Sequence, residues 1–246
     1  MTRRFAPLAL SLALILGSAA QAATKPGYSS YPKGAKPRAA APLPAPQPLP
    51  DLVRVAMVTQ LGTIELELDH KRAPLTVENF MRYVQLRRFD GIVFYRAMPI
   101  AWGAQPNGLV QAGLQGHPQK ILKPIAHEPT SQTGLSHTRG TISMARYAPG
   151  TATADFSIML GDMTGLDANP KSDNPEFQAG FAAFGKVVSG MDVVEKIWAA
   201  PRSPTKGDGV MKGQMLDPTI KVLTVRRVEA AVGAVAAPAK ASTPAP

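Results

Sequence analysis

The most constraining feature of this chain is a strict alternation of side chains between Gly62 and Asp69. Ile64, Leu66 and Leu68 recur at every second position, with polar or charged residues between them. Successive side chains of a β-strand point to opposite faces of a sheet, so this period predicts a strand with one buried and one solvated face. The folded part of the chain must therefore cover the apolar face of a sheet.

Short segments with strand character recur along the rest of the chain, separated by turn residues. Besides residues 62–69, they span residues 53–57, 92–98, 109–112, 141–145, 156–160, 183–188 and 221–226. Residues 60–62 stand where a hairpin turn between the first two strands is needed. Seven or eight short strands at nearly regular spacing predict a mostly β fold, a closed antiparallel barrel rather than a parallel α/β sheet.

Two segments have the helical period instead, residues 73–88 and residues 190–198. Apolar residues recur in both at intervals of three and four, which predicts amphipathic helices packed on the sheet. Thr76 is the predicted N-cap of the first helix, because threonine is favoured there and Pro74 bars an earlier helical turn.

The first residues have the pattern of an export signal. Basic residues 3–4 precede an apolar run over residues 8–16, and residues 18–22 end in a small-x-small pattern. This order predicts a signal peptide over residues 1–22, with cleavage near Ala22 or Ala23. The apolar run is shorter than the roughly 20 residues of a transmembrane helix. We expect a periplasmic product without a transmembrane segment.

The flanks of the folded domain differ from it in composition. Residues 23–50 are rich in proline and alanine, which predicts an extended linker, because proline fixes φ and lacks an N–H donor. Residues 230–246 are an Ala/Pro-rich tail that we expect to be disordered, so the folded domain spans residues 51–229. The chain has no cysteine, which excludes a lipoprotein anchor, disulfides and thiolate catalysis.

The net charge of the chain is +10, but most of this excess lies outside the domain. Seven of the 27 basic residues lie outside residues 51–229, whereas all 17 acidic residues lie inside, which leaves a net charge of +3. A nucleic-acid-binding domain needs a basic face, and this domain has too little excess charge for one. We therefore expect no nucleic-acid partner.

Four short motifs occur in order along the predicted barrel. They are Phe94-Tyr95-Arg96, Val110-Gln111-Ala112-Gly113, Thr138-Arg139-Gly140-Thr141-Ile142-Ser143-Met144-Ala145-Arg146 and Phe184-Gly185-Lys186-Val187-Val188-Ser189-Gly190-Met191. With these motifs the chain resembles the cyclophilin-type peptidyl-prolyl cis-trans isomerases over about residues 53–228. The resemblance implies an eight-stranded antiparallel barrel capped by two α-helices. It also implies isomerisation of X–Pro bonds in proline-containing polypeptides, without a metal or cofactor, by what we expect to be a monomer.

Isomerisation of an X–Pro bond needs no nucleophile, metal or cofactor. Amide resonance sets a rotational barrier of about 18–20 kcal/mol, which a proline pocket and a well-placed hydrogen-bond donor can lower. A guanidinium suits this task because its charge is permanent and its N–H groups are fixed. The resemblance implies that Arg96 is the catalytic residue and that Gln111 orients the substrate backbone. The further substrate contacts that it implies are Leu109, Ala145, Arg146, Asp155, Ser157, Leu166 and Phe181.

The predicted pocket departs from the family pattern in its aromatic wall. Gly108, Ser157 and Gly165 stand where the family has large aromatic residues. Asp155 replaces a glutamine on the same strand face as Ser157, where it would either pair with Arg96 or compete with the substrate for it. By contrast, we expect Met144 and Phe156 to be core residues.

Residues 99–108 form an apparent insertion that contains Trp102. We hypothesise that this insertion folds back and lends the Trp102 indole to the pocket in place of the missing aromatic residues. The alternative is that Trp102 plugs the end of the barrel.

Three other functions compete with the isomerase. The four histidines, His70, His117, His127 and His137, raise the question of a metal site or a hydrolase. Their spacings do not place ligands side by side on a helix, and no Gly-x-Ser-x-Gly motif is present, so we interpret them as turn and loop residues. The stronger alternative is a proline-peptide-binding or chaperone-like module on the same scaffold, with little turnover.

Overall fold

The computed structural model describes residues 44–228, which contain eight strands and four α-helices. The strands are β1 (Leu52–Thr59), β2 (Gly62–Asp69), β3 (Val93–Pro99), β4 (Gly108–Gly113), β5 (Thr141–Met144), β6 (Phe156–Met159), β7 (Ala183–Ser189) and β8 (Met215–Val228). The helices are α1 (Pro74–Gln85), α2 (Thr130–Thr133), α3 (Pro175–Ala179) and α4 (Met191–Ala199). The predicted signal peptide, linker residues 23–43 and the predicted tail lie outside the described residues.

The strands close into one antiparallel barrel in the order β1-β2-β7-β5-β6-β4-β3-β8. The predicted fold class, a closed eight-stranded antiparallel barrel with two principal helices, is confirmed. The helices α2 and α3 were not predicted, because segments of four and five residues are too short to show a helical period. No helix within residues 44–228 is long and apolar enough to cross a membrane.

The alternation in β1 and β2 decides which side chains enter the barrel. Val53, Val55 and Met57 on β1 are buried, and so are Ile64, Leu66 and Leu68 on β2. The two strands pair directly, with Val55 opposite Leu66, so their inward-facing residues form one continuous apolar face. The charged residues between them face solvent, as the period of two predicts.

An aromatic cluster fills the space between the barrel and α1. It consists of Phe80, Phe89, Phe94, Phe156 and Phe184, whose neighbouring ring centroids lie 4.9–6.3 Å apart. Offset and edge-to-face contacts of this kind add to the free energy gained from burial alone. The predictions that Phe156 and Met144 belong to the core are confirmed, since both are buried in it.

The first turn of α1 is capped by a residue far away in the sequence. The helix begins at Pro74, within the predicted segment, but its N-cap is Ala73, so the prediction that Thr76 is the N-cap is wrong. The buried Glu128 carboxylate accepts hydrogen bonds from Leu75 N (3.1 Å), Thr76 N (2.8 Å) and Thr76 Oγ1 (2.6 Å). A carboxylate satisfies the free N–H groups and interacts favourably with the helix dipole, so the hydroxyl of Thr76 is not needed as a cap.

The last strand closes the barrel and is longer than predicted. Only residues 221–226 show clear strand character, because Pro218 interrupts the pattern before them. In the structure β8 starts at Met215 and pairs first with β3 and then with β1. This position brings the loop before β8 close to β3.

The end of the predicted linker lies against the barrel. Residues 45–50 contain no helix or strand, but Gln85 Nε2 on α1 donates to Ala45 O at 2.8 Å. Arg227 Nη1 on β8 donates to Pro48 O at 3.3 Å, and Leu49 packs against the core. This part of the linker is therefore held beside α1 and β8.

Candidate active site

A row of four polar side chains runs across four neighbouring strands. Arg96 on β3 pairs with Gln111 on β4, Gln111 pairs with Ser157 on β6, and Ser157 pairs with Ser143 on β5. Residues directly opposite one another in a sheet project to the same face. The strand register thus places these four residues, which we call the polar row, side by side.

The polar row lines a cavity of about 260 Å³. The apolar part of its lining comes from Leu109, Ala145, Leu166, Phe181 and four methionines, and Arg146 also contributes. The structure therefore brings together eight of the predicted site residues, but not Asp155 or Trp102. An apolar cavity with a few convergent polar groups is typical of a ligand site.

A β-bulge in β3 turns Arg96 toward this cavity. The register shifts between Phe94, which pairs with Ala112, and Arg96, which pairs with Gln111, so Tyr95 is an extra residue in the strand. Phe94 and Ala97 are both in the core, a spacing of three that a regular strand does not allow. The bulge accommodates that spacing and lets Arg96 face outward.

Neutral groups hold the guanidinium of Arg96 in place. Nη1 donates to Gln111 Oε1 at 2.9 Å, Nε donates to Gln214 Oε1 at 2.8 Å, and Nη2 contacts Met98 Sδ at 3.4 Å. No carboxylate within residues 44–228 forms an ion pair with it. Burial lowers the pKa of Arg96, but a guanidinium remains charged at neutral pH. Its charge is therefore available to a substrate.

Gln214 was missed by the sequence analysis. Its Nε2 donates to Val210 O at 2.8 Å, and its backbone O accepts from Ala97 N at 2.9 Å, so both ends of the residue are fixed. It lies in the loop before β8, 118 residues from Arg96, and no local pattern marks it. Only the closure of the barrel brings the two side chains together.

The sequence profile described as "Cyclophilin type peptidyl-prolyl cis-trans isomerase/CLD" matches residues 54–225, which is more than half of the chain. The chain belongs to this family. It is a cyclophilin, a member of a family of cofactor-free isomerases, and the polar row and its cavity are its candidate active site. Arg96 and Gln111 remain the predicted catalytic and substrate-orienting residues.

This cyclophilin is similar to several bacterial proteins. It is 39% identical over 153 residues to a peptidyl-prolyl cis-trans isomerase of Acinetobacter baylyi, covering 61% of this chain and 73% of that protein. It is 36% identical over 147 residues to peptidyl-prolyl cis-trans isomerase A of Dickeya dadantii, covering 58% and 70%. It is 37% identical over 149 residues to isomerase B of Escherichia coli, covering 58% and 82%.

The solved structures show the same fold at much lower identity. A cyclophilin-type isomerase of Cryptosporidium parvum matches with a TM-score of 0.56 and 16% sequence identity. The match covers 73% of this chain and 99% of that one. At this identity the match supports the barrel itself and carries no information about substrates.

Arg146 shapes one wall of the cyclophilin pocket. Its guanidinium lies 4.6 Å from the centroid of the Phe181 ring, and its side chain is only 1% exposed. Nη2 and Nε donate to Gly180 O at 2.6 and 3.2 Å, and Nη1 pairs with Glu176 at 2.9 Å. These bonds occupy the guanidinium, so Arg146 holds Phe181 in position as the pocket wall.

Asp155 does not reach the pocket and does not pair with Arg96. Its Oδ1 accepts from Tyr95 Oη at 3.0 Å and from Gln115 N at 3.0 Å. The carboxylate lies over Gly113, where an added Cβ would be 2.4 Å from it. Burial raises the pKa of Asp155, while its two hydrogen bonds oppose that rise. Because Gly113 has no side chain, the carboxylate turns toward Tyr95, and this geometry does not support the predicted contact with substrate.

Trp102 neither lines the pocket nor plugs the barrel. Its side chain is 75% exposed, so the structure supports neither expectation for it. The insertion closes on itself instead: Asn107 Nδ2 donates to Trp102 O at 2.7 Å, and Ile100 N donates to Asn107 O at 3.0 Å. At Gly108 (φ +120°) a Cβ would lie 1.9 Å from Met98 O, so this turn excludes any larger residue there.

His137 lies in a loop, as expected, but it is completely buried behind the pocket. Its Nδ1 is 2.5 Å from Asp167 Oδ1, and its Nε2 is 2.8 Å from Ser143 Oγ in the polar row. Burial lowers the pKa of His137. A serine hydrolase has the same series of hydrogen-bonded aspartate, histidine and serine. Ser143, however, lies inside β5 rather than on an exposed strand-to-helix turn. The chain of bonds therefore supports the pocket floor.

Within residues 44–228 no group of three or more histidine and acidic side chains could hold a metal ion. His127 Nε2 lies 2.9 Å from Ala179 O, and His70 Nδ1 lies 3.1 Å from Pro50 O. These two histidines connect loops to neighbouring backbone and take no part in the site.

Proposed function

We propose that this cyclophilin isomerises X–Pro bonds of exported polypeptides in the periplasm and so assists their folding. The observation that carries the catalytic part is Arg96, a half-buried cation held over an apolar cavity by neutral partners. The N-terminal pattern of basic, apolar and small residues supports export.

The proline ring occupies the cavity beside Leu109, Leu166 and Phe181. As the C–N bond twists, the nitrogen lone pair leaves conjugation with the carbonyl and becomes a better hydrogen-bond acceptor. Arg96 donates to the amide more strongly in this twisted state than in the planar one, which is what accelerates rotation. Gln111 accepts from Arg96 through Oε1, which leaves its amide N–H groups to hold the substrate backbone.

The required acceleration is modest. A rate increase of about 10⁴-fold corresponds to about 5–6 kcal/mol of transition-state stabilisation, which one charged donor and a bound ring can supply. The serine at position 157 and the open surface at Gly165 bury less of the ring than aromatic residues would. Each lost contact weakens ring binding by about 1–3 kcal/mol. We therefore expect a high KM rather than a low kcat.

The catalytic part is tested by NMR exchange spectroscopy on an Ala-Pro peptide with the purified chain, its Arg96→Ala variant and its Arg96→Lys variant. We expect catalysed exchange, a loss of at least about 100-fold in Arg96→Ala, and partial retention in Arg96→Lys. Peptide binding is measured in parallel by chemical-shift titration. If the unmodified chain binds the peptide without accelerating exchange, the protein is the proline-peptide-binding module instead.

The export part is tested by expressing the full chain in a Gram-negative bacterium and fractionating the cells. We expect the product in the periplasm, with its N-terminus at residue 23 or 24 by N-terminal sequencing. A product that keeps Met1 and stays in the cytoplasm contradicts this part and leaves the catalytic part unaffected.

A further inference from the structure

The floor of the cavity is polar, because Ser157 stands where the family has a large aromatic residue. Ser157 and Ser143 are direct cross-strand partners on β6 and β5, and both line the cavity. Within residues 44–228, the only fully enclosed side-chain nitrogen or oxygen atom without a partner is Trp198 Nε1. The hydroxyl of Ser157, which bonds to no other described residue, therefore opens to the cavity.

The Ser143 hydroxyl donates its hydrogen to His137 and not to the cavity. Asp167 Oδ1 accepts from His137 N at 2.9 Å and lies 2.5 Å from Nδ1, so Nδ1 of the imidazole carries the proton. The other ring nitrogen, Nε2, is then a bare acceptor 2.8 Å from Ser143 Oγ. Ser143 donates to it and offers only lone pairs to the cavity.

The two hydroxyls together define what fits between them. Ser143 Oγ can accept a hydrogen bond, and Ser157 Oγ can donate one. A ligand hydroxyl satisfies both groups at once, whereas the methylene carbons of an unsubstituted pyrrolidine ring leave Ser157 without a partner in a largely buried place.

Resting on the proposed isomerase function, we propose that the cavity selects a proline ring that carries a hydroxyl group on its outer edge. The preferred substrate class is then X–hydroxyproline bonds, read by Ser157 as donor and Ser143 as acceptor. Arg96 and Gln111 act on the amide as they do for unsubstituted proline, because they occupy the other end of the polar row.

The test compares Ala-Xaa peptides in which Xaa is proline, 4-hydroxyproline or 4-fluoroproline, with both epimers of each substituted ring. Fluorine withdraws electrons and biases the ring much as a hydroxyl does, but it cannot donate a hydrogen bond. We expect the purified chain to favour one hydroxyproline epimer over the matching fluoroproline epimer by about tenfold in kcat/KM. Ser157→Ala abolishes this ratio, and Ser157→Thr, which keeps the hydroxyl, retains it.

The same ratio is measured as relative Kd by NMR titration, so the result does not depend on turnover. A hydroxyproline-to-fluoroproline ratio that is the same in the unmodified chain and in Ser157→Ala, for both epimers, overturns the proposal. Failure of the isomerase function is distinct, because it removes catalysis on the plain prolyl peptide and leaves the binding ratios to decide this proposal.

Discussion

Arg96 Nε donates to Gln214 Oε1 over 2.8 Å, although 118 residues separate the two in sequence. Gln214 is held in turn by its bond to Val210 O, and Gln111 holds the opposite side of the guanidinium. Two amide oxygens thus fix a cation without neutralising it. This arrangement makes Gln214 a positioning residue for the predicted catalytic arginine.

Gln214→Ala should lower kcat by about tenfold and change KM little, because one hydrogen bond that orients Arg96 is lost while the pocket wall stays intact. Steady-state NMR exchange over a range of peptide concentrations separates the two constants. Gln214→Glu is the informative companion: it keeps an acceptor in place but pairs the guanidinium with a charge, and we expect a larger loss of kcat. A change confined to KM in both variants would contradict this role.

Ser157→Phe should lower KM for an Ala-Pro peptide by about tenfold. The new ring gives the apolar face of proline a partner where a hydroxyl now stands, and burial of this kind contributes about 1–3 kcal/mol. Because Arg96 and Gln111 keep their places in the polar row, kcat should change little. An unchanged or raised KM would mean that the proline ring of the substrate does not bind next to residue 157.

Trp102→Ala should leave both isomerase activity and stability nearly unchanged. The indole is 75% exposed and does not line the cavity, and surface changes of this kind usually shift the free energy of unfolding by less than about 0.5 kcal/mol. Asn107→Ala is the contrasting variant, since it removes the bond to Trp102 O that closes the insertion. A several-fold loss of activity in Trp102→Ala would revive the idea that the indole reaches the substrate.

The sequence predicts those parts of the fold that depend on local period. Alternation places Leu66 inward without any tertiary information, and the motifs around Arg96 and Gln111 identify the strands of the site. Alternation alone, however, puts Phe94 and Arg96 on one face, whereas the bulge at Tyr95 separates them. A one-residue irregularity of this kind depends on the partner strand and leaves no periodic signal.

Several other differences arise from long-range contacts. Gln214 and Glu128 act on residues 118 and 52 positions away, which no window of sequence contains. His137 has the surroundings of a loop residue, yet the barrel and Asp167 enclose it completely. Local propensity describes the elements, and closure of the barrel decides which polar groups meet.

Glu128→Ala should lower the free energy of unfolding by about 2–4 kcal/mol. The carboxylate is the acceptor for two N–H groups at the start of α1 and for the Thr76 hydroxyl, and buried donors left without partners are costly. Glu128→Gln keeps one acceptor oxygen and should lose clearly less. Urea unfolding followed by circular dichroism measures both, and equal losses would show that packing, not capping, is the main contribution.

The free energy of unfolding should fall as the pH drops below about 6.5, the ordinary pKa of histidine. Burial lowers the pKa of His137 in the folded chain, so below this pH the unfolded chain binds a proton that the folded chain does not. The stability that the neutral imidazole provides is thus complete above about pH 6.5. It is lost progressively, by at most about 1.4 kcal/mol per pH unit, until the pH reaches the folded-state pKa.

His137→Gln isolates this effect, because glutamine can donate to Asp167 and accept from Ser143 without titrating. Urea unfolding of both proteins between pH 5 and pH 8 gives the difference in stability, in which the contributions of all other titrating groups cancel. We expect the unmodified chain to lose stability relative to His137→Gln as the pH falls. A difference that stays constant with pH would mean that His137 takes up its proton as readily in the folded chain as in the unfolded one.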